Sequence, residues 1–101
     1  MNISDLANSS DRAGEFLKSL ANSQRLRILC LIMEGERPVG EIAEAIGANQ
    51  SSVSQNLALM RREGLVVPRR SGQTIYYRLA NKKLIKMFRL LNDMFCRSAK
   101  D

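Results

Sequence analysis

The sequence contains no histidine and only two cysteines. Without histidine, the chain lacks the most common general base, any Ser-His or Cys-His nucleophile pair and imidazole metal ligands. We therefore expect no enzyme activity, no cofactor and no metal site. No apolar run reaches the ~18 residues of a membrane span. The first residues, MNISDLANSSDRAGEF, have neither a basic start nor an apolar block, so we expect no secretory signal, no membrane partner and a cytoplasmic location.

Positive charge is concentrated in the second part of the chain. The 101 residues carry a formal net charge of +6. Residues 1–60 hold five basic and seven acidic side chains, whereas residues 61–101 hold eleven basic and three acidic ones. A basic half on a small protein suggests a polyanionic partner, first of all nucleic acid. A solvated basic face is the simpler alternative.

The spacing of apolar residues predicts four helices, a short β-hairpin and a last helix. The helices are expected at 11–21, 23–34, 38–46, 50–63 and 82–98, and the strands at 65–70 and 73–79. A turn with Gly47 joins the third and fourth helices, which is the helix-turn-helix layout whose second helix enters the major groove of DNA. The basic hairpin that follows is typical of a wing. We therefore predict a single domain over residues 1–101, mainly α-helical with a β-hairpin wing: a winged helix-turn-helix.

Two helices carry apolar stripes longer than a 101-residue monomer can cover. They are the first and the last predicted helices, and we expect both to meet their symmetry mates in a homodimer. The predicted interface residues are Phe16, Leu17, Leu20, Met87, Phe88, Leu91, Met94 and Phe95.

Amides, hydroxyls and guanidinium groups mark the expected DNA contacts. At the start of the fourth helix, Gln50, Ser51, Ser52, Ser54 and Gln55 are suited to base edges, although the serines also suit a helix cap. Arg61 and Arg62 close that helix, where they either meet phosphate or complement the helix dipole. Arg69, Arg70 and Gln73 lie at the wing tip and are expected to reach the DNA backbone or minor groove. A solvated basic turn is the alternative for the tip.

Three segments carry a resemblance to a known family. SLANSQRLRILCLI, VGEIAEAIGANQSSVSQNLALMRREGLV and RRSGQTIYYRL closely resemble the ArsR/SmtB family of winged-helix bacterial repressors, over roughly residues 13–97. The resemblance implies a homodimer that binds a double-stranded DNA operator, an imperfect palindrome, and releases it when an inducer binds. Many members carry histidine where this chain has Asn56, a difference that affects base preference rather than the scaffold.

The sensing residues of the family divide it into types. The cysteine cluster of one type is missing from ERPVGEIA, and the zinc-binding Asp and His pairs of another are missing from the last helix. Cys30 and Cys96 remain, and their positions resemble those of the dithiol subgroup of BigR-, SqrR- and HlyU-like regulators, which sense persulfides. The resemblance thus implies a repressor that loses operator affinity when reactive sulfur species or oxidation link the two thiols. Two buried core cysteines are the alternative without the resemblance.

Three other functions stay open at this point. The two thiols also suit a soft ion such as As(III) or Cu(I) in an ArsR-type repressor. An anti-silencing activator, which displaces another DNA-bound repressor, would use the same DNA contacts. A thiol oxidoreductase is disfavoured because the chain has neither a Cys-x-x-Cys pair nor an acid/base partner.

Overall fold

The computed structural model describes residues 3–95 and has the predicted winged helix-turn-helix order. Residues 3–95 form six helices: α1 (Ile3–Asn8), α2 (Ser10–Leu20), α3 (Ser23–Ile32), α4 (Val39–Ile46), α5 (Gln50–Arg62) and α6 (Lys82–Phe95). The same part of the chain contains three strands, β1 (Arg37–Pro38), β2 (Val66–Ser71) and β3 (Thr74–Leu79). Cys96 and the predicted end of the last helix lie outside the described residues. None of the helices within residues 3–95 has both the length and the apolar character needed to span a membrane.

Two elements were not predicted. The short helix α1 precedes α2, and the two-residue strand β1 adds a third strand to the hairpin. The antiparallel sheet has the order β1-β3-β2, with Arg37 opposite Tyr77 and Pro38 opposite Tyr76. Pro38 was expected inside the next helix. Instead it is the extended residue before that helix, with φ −78° and ψ 155°.

Side-chain caps and left-handed glycines set the helix-turn-helix geometry. Asn49 Oδ1 accepts the Ser52 N–H at 2.9 Å and so satisfies a first-turn donor of α5. Gly47 ends α4 with φ 68°, a conformation that costs glycine little. At the wing tip, Gly72 has φ 64° and is the first residue of the two-residue turn between β2 and β3. These local features fix where α5 and the wing tip point.

The core is built around α3, as its nearly all-round apolar sequence predicts. Ile28, Leu29 and Ile32 of this helix are almost fully buried. α5 contributes Val53, Leu57 and Met60, which are fully buried at spacings of four and three residues. One side of α5 therefore holds the helix in the domain, and the other side is left for contacts with a partner.

Candidate nucleic-acid interface and thiol site

The outer side of α5 presents four of the five predicted base-reading residues. Gln50, Ser51, Ser54 and Gln55 are all exposed on the first two turns. Because the core-facing residues of the same helix are fully buried, these amides and hydroxyls face outward. This is the side that enters the major groove in a helix-turn-helix protein.

Ser52 lies differently from its neighbours. It is half-buried, and its hydroxyl donates a hydrogen bond to Gln24 Oε1 of α3 at 2.9 Å. Its backbone N–H donates to the Asn49 cap. Both donors of Ser52 are thus used inside the domain, and the placement of its side chain against α3 differs from the groove-facing position that the sequence pattern predicted.

The wing carries an ion pair that the sequence analysis missed. Arg69 Nε donates to both carboxylate oxygens of Glu36 at 3.0 Å, and a second guanidinium nitrogen also bonds this carboxylate. The guanidinium carbon lies 4.7 Å from the ring centroid of Tyr76, a cation–π contact. Arg69 is therefore directed toward Glu36 rather than away from the wing. Arg70 and Gln73 are exposed, and Arg70 points to the opposite face of the strand from Arg69.

The Glu36–Arg69 pair predicts a pH-dependent contribution to stability. The hydrogen bond from Arg69 holds the pKa of Glu36 below its ordinary value of 4.5, and the same bond raises the pKa of Arg69. A depressed carboxyl pKa stabilises the fold above the unfolded-state pKa, and this stability is lost as pH falls through the folded-state pKa. We expect Glu36→Gln to lower the melting temperature slightly at neutral pH, because the pair is exposed, and to have no effect in acid.

Thermal unfolding of the wild type and Glu36→Gln between about pH 3 and pH 7 measures this contribution. Glu34→Gln, an exposed carboxylate two residues earlier, is the matched control. A Glu36→Gln effect that is the same at every pH would contradict the assignment.

Arg61 and Arg62 are exposed in the last turn of α5. A rise of 1.5 Å per residue places Arg61 about 16 Å along the axis from Gln50. Both cations are favourably placed at the negative end of the helix dipole. The structure therefore separates them from the four outward residues of the first two turns.

Cys30 is exposed on α3 and is not a core residue. It lines a groove of about 490 Å³ between α3 and α6, together with Leu26, Met33, Glu34, Phe88, Leu91, Asn92 and Phe95. Phe95 directly precedes Cys96 in the chain, so the groove reaches the residue next to the second cysteine. Arg27 and Cys30 also line an adjoining cavity of about 540 Å³. Within residues 3–95, no three His, Cys, Asp or Glu side chains are grouped to hold a metal ion.

The predicted dimer residues fall into two groups. Leu20 and Phe88 are 5% and 2% exposed and belong to the core of the protomer, which leaves them little surface for an interface. Leu17, Met94 and Phe95 are 59%, 63% and 75% exposed, and Phe16, Met87 and Leu91 are half-buried. Leu90, which was not predicted, is also 59% exposed.

Comparison with known proteins identifies the family. The sequence profile described as "Bacterial regulatory protein, arsR family" matches residues 22–67. The transcriptional activator HlyU of Vibrio cholerae is 38% identical over 98 residues, which cover 97% of this chain and 91% of HlyU. The chain belongs to the ArsR family. It is therefore a transcriptional regulator, like its relatives, and not an enzyme.

Solved structures of ArsR-family regulators share the fold. Reduced HlyU from Vibrio cholerae superposes with a TM-score of 0.83 at 38% identity, covering 91% of this chain and 97% of that one. The repressor BigR from Xylella fastidiosa gives 0.88 at 34% identity, covering 95% and 98%. A winged helix-turn-helix DNA-binding domain from Mycobacterium bovis, described as homodimeric, gives 0.78 at 37% identity, covering 93% and 87%.

Proposed function

We propose that this ArsR-family regulator is a homodimeric repressor that reads operator DNA with α5 and is released when its two cysteines are linked. The observation that carries the DNA-binding part is the division of α5 into two sides. Val53, Leu57 and Met60 are fully buried, whereas the amides and hydroxyls of Gln50, Ser51, Ser54 and Gln55 are exposed. Such side chains recognise base edges in the major groove.

A homodimer is supported by exposed apolar side chains on α2 and α6. Leu17, Leu90, Met94 and Phe95 are each more than half exposed, which is costly for apolar groups in water. A two-fold axis through these helices would relate two copies of α5. The two copies would read half-sites about 34 Å apart, one helical turn, so we expect an imperfect palindrome.

Gln55→Ala and Arg70→Ala are expected to weaken DNA binding in different ways. Gln55 is exposed on the outer side of α5, and if it bonds a base, its removal should cost about tenfold on the operator and relax sequence preference. Arg70 is placed to meet phosphate, so its removal should weaken all sequences alike and reduce the slope of log affinity against log salt by about one per protomer. Anisotropy titrations with operator and unrelated DNA at several salt concentrations measure both effects.

Arg69→Ala is the matched control for Arg70→Ala. Its guanidinium is bonded to Glu36, so its loss should change the salt slope clearly less than the loss of its neighbour. Normal binding by Arg70→Ala at every salt concentration would overturn the role of the wing. Unchanged sequence preference in Gln55→Ala would overturn base reading by that amide.

The thiol part of the proposal is supported by the groove between α3 and α6. Cys30 and Phe95 line it together, and Cys96 follows Phe95 in the chain. A persulfide donor transfers its outer sulfur to a cysteine thiolate and leaves as a thiolate. When both cysteines carry such a sulfur, the persulfide of one attacks the cysteine-bound sulfur of the other, expels hydrosulfide and closes a trisulfide.

The length of the link distinguishes persulfide from other oxidants. A disulfide requires Cα atoms within about 7 Å, and each extra sulfur adds about 2 Å of reach. A trisulfide therefore joins cysteines that are too far apart for an unstrained disulfide. On this reasoning, peroxide should release the operator less effectively than a persulfide donor.

Activation by displacement of another repressor is the second candidate function. The observation that favours it is that the relative HlyU is described as a transcriptional activator, whereas the Xylella fastidiosa relative is described as a repressor. Footprinting across the target promoter separates the two. A footprint over the polymerase site supports repression, whereas a footprint over another repressor's site supports displacement.

A further inference from the structure

A chain of polar side chains joins the start of α3 to α5. Gln24 Oε1 accepts two hydrogen bonds from α5, one from the Ser52 hydroxyl at 2.9 Å and one from the Asn56 amide. Arg25 Nε donates to Asn56 Oδ1 at 3.2 Å, and an Arg25 terminal nitrogen lies 3.4 Å from Glu63. This network of Gln24, Arg25, Ser52, Asn56 and Glu63 is partly buried and lies outside the hydrophobic core.

Two α5 residues of the network, Ser52 and Asn56, form one stripe with Glu63, the residue that directly follows α5. Ser52, Asn56 and Glu63 are four and seven residues apart, so at 3.6 residues per turn they lie within about 40° of one another. The stripe borders the buried side of α5 on one flank and the exposed Gln55 on the other. Its hydrogen bonds are directional, so they restrain rotation of α5 about its own axis more specifically than the apolar contacts do.

Arg25 of α3 makes further hydrogen bonds to residues that precede this helix. The Arg25 N–H donates to the Asn22 cap at 3.1 Å, and its guanidinium donates to the carbonyl of Ser19, at the end of α2, at 2.8 Å. The Arg25 side chain is only 17% exposed. The Arg25 guanidinium thus contacts the end of α2 and two members of the stripe, Asn56 and Glu63, while Gln24 bonds Ser52.

We infer that Gln24 and Arg25 are positioning residues that determine operator specificity without touching DNA. The inference rests on the proposed function. Base-edge bonds require placement of the reading side chains within about 0.5 Å, whereas phosphate attraction acts at longer range and tolerates small rotations. Loss of the network should therefore lower specific affinity and leave non-specific affinity unchanged.

Gln24→Met and Gln24→Glu form a matched pair. Methionine keeps the side-chain length but removes the oxygen that accepts from Ser52 and Asn56, whereas glutamate keeps an acceptor oxygen. The ratio of operator to unrelated-DNA affinity should fall about tenfold in Gln24→Met, as expected for one or two lost hydrogen bonds. In Gln24→Glu the added charge should weaken both DNAs in parallel and leave the ratio within about twofold of the wild type.

Arg25→Lys provides a second, independent variant. Lysine keeps the positive charge but cannot bond Asn56, Ser19 and Glu63 together. The specificity ratio should fall while the salt slope stays unchanged. Equal weakening of operator and unrelated DNA by Arg25→Lys, with the specificity ratio unchanged, would overturn its positioning role.

Failure of this inference and failure of the proposed function give different experimental results. Circular dichroism and thermal unfolding verify that each variant is folded before DNA is added. If wild-type protein binds operator specifically and Gln24→Met keeps the wild-type ratio, the inference alone is overturned. An equal fall in the ratio of operator to unrelated-DNA affinity in Gln24→Met and Gln24→Glu also overturns the inference. If wild-type protein shows no sequence-specific binding, the proposed function fails first and the inference with it.

Discussion

Cys30→Ser and Cys96→Ser are each expected to fold, dimerise and bind operator, yet to stay bound at persulfide concentrations that release the wild type. Serine keeps the size of the side chain and removes the nucleophilic sulfur. Cys30 lies on the central helix α3, which contacts α5 through Gln24 and Arg25. A covalent link from α3 to the end of α6 would couple the proposed dimer interface to the DNA-reading helices.

The expected loss of operator affinity is large because a small free-energy difference between the DNA-bound and released states is sufficient. A difference of ~1.4 kcal/mol in strain between the DNA-bound and released states already lowers affinity tenfold. We expect at least tenfold weaker operator binding by treated wild type and less than twofold change in either serine variant.

Anisotropy of labelled operator during titration with a persulfide donor measures the release. The double serine variant is the control, because Cys30 and Cys96 are the only cysteines in the chain. Release of this variant would show that the donor acts elsewhere. Release of either single variant with the wild-type dose dependence would contradict the dithiol switch.

Leu90→Glu combined with Met94→Glu is expected to convert the dimer to a monomer. Both side chains are exposed, at 59% and 63%, on the same side of α6. Two carboxylates there would face their symmetry mates in an apolar interface, where unpaired charges are strongly disfavoured. Operator affinity should fall at least about a hundredfold, since a monomer reads only one half-site.

Arg89→Glu is the matched control for the dimer variant. It changes the net charge by the same two units but lies on the other side of α6, and its side chain is exposed. Light scattering at micromolar concentration should show a dimer for wild type and Arg89→Glu, and a monomer for the double variant. A double variant that stays dimeric, or a wild type that is monomeric, would contradict the interface.

The helix order was predictable because the long elements have clear periodicity. α5 repeats apolar residues at spacings of four and three from Val53 to Met60, and α6 repeats them every three or four positions from Leu84 to Phe95. β1 was missed because two residues are too few for an alternating pattern, and its register comes from pairing with Tyr76 and Tyr77. Apolar spacing also does not distinguish a core from an interface, and Phe88, which was predicted at the dimer interface, is 2% exposed in the protomer.

The exposure of site residues was predictable where it depends on the local helical pattern. Their side-chain partners were not predictable where those partners are distant in the sequence. Gln50, Ser51, Ser54 and Gln55 are exposed as their helical spacing indicates. The partner of Arg69 is Glu36, 33 residues away, and no local pattern connects them. The half-buried Gln24 and Arg25 were missed for the same reason. Ser52 and Asn56 are spaced i, i+4 and lie next to the apolar side of α5. This spacing was the available signal that α5 packs against a polar residue of a neighbouring helix.

The most direct test of the thiol-switched regulator measures operator binding by reduced, disulfide-treated and persulfide-treated wild type, with intact mass of the released protein. The operator is first selected from random DNA with reduced protein. We predict release after persulfide treatment, with each released chain gaining one sulfur and losing two hydrogens within a single polypeptide, and recovery of binding after reduction. Release without a change in the mass of the chain, or release that requires an added soft metal ion retained by the protein, would contradict the account.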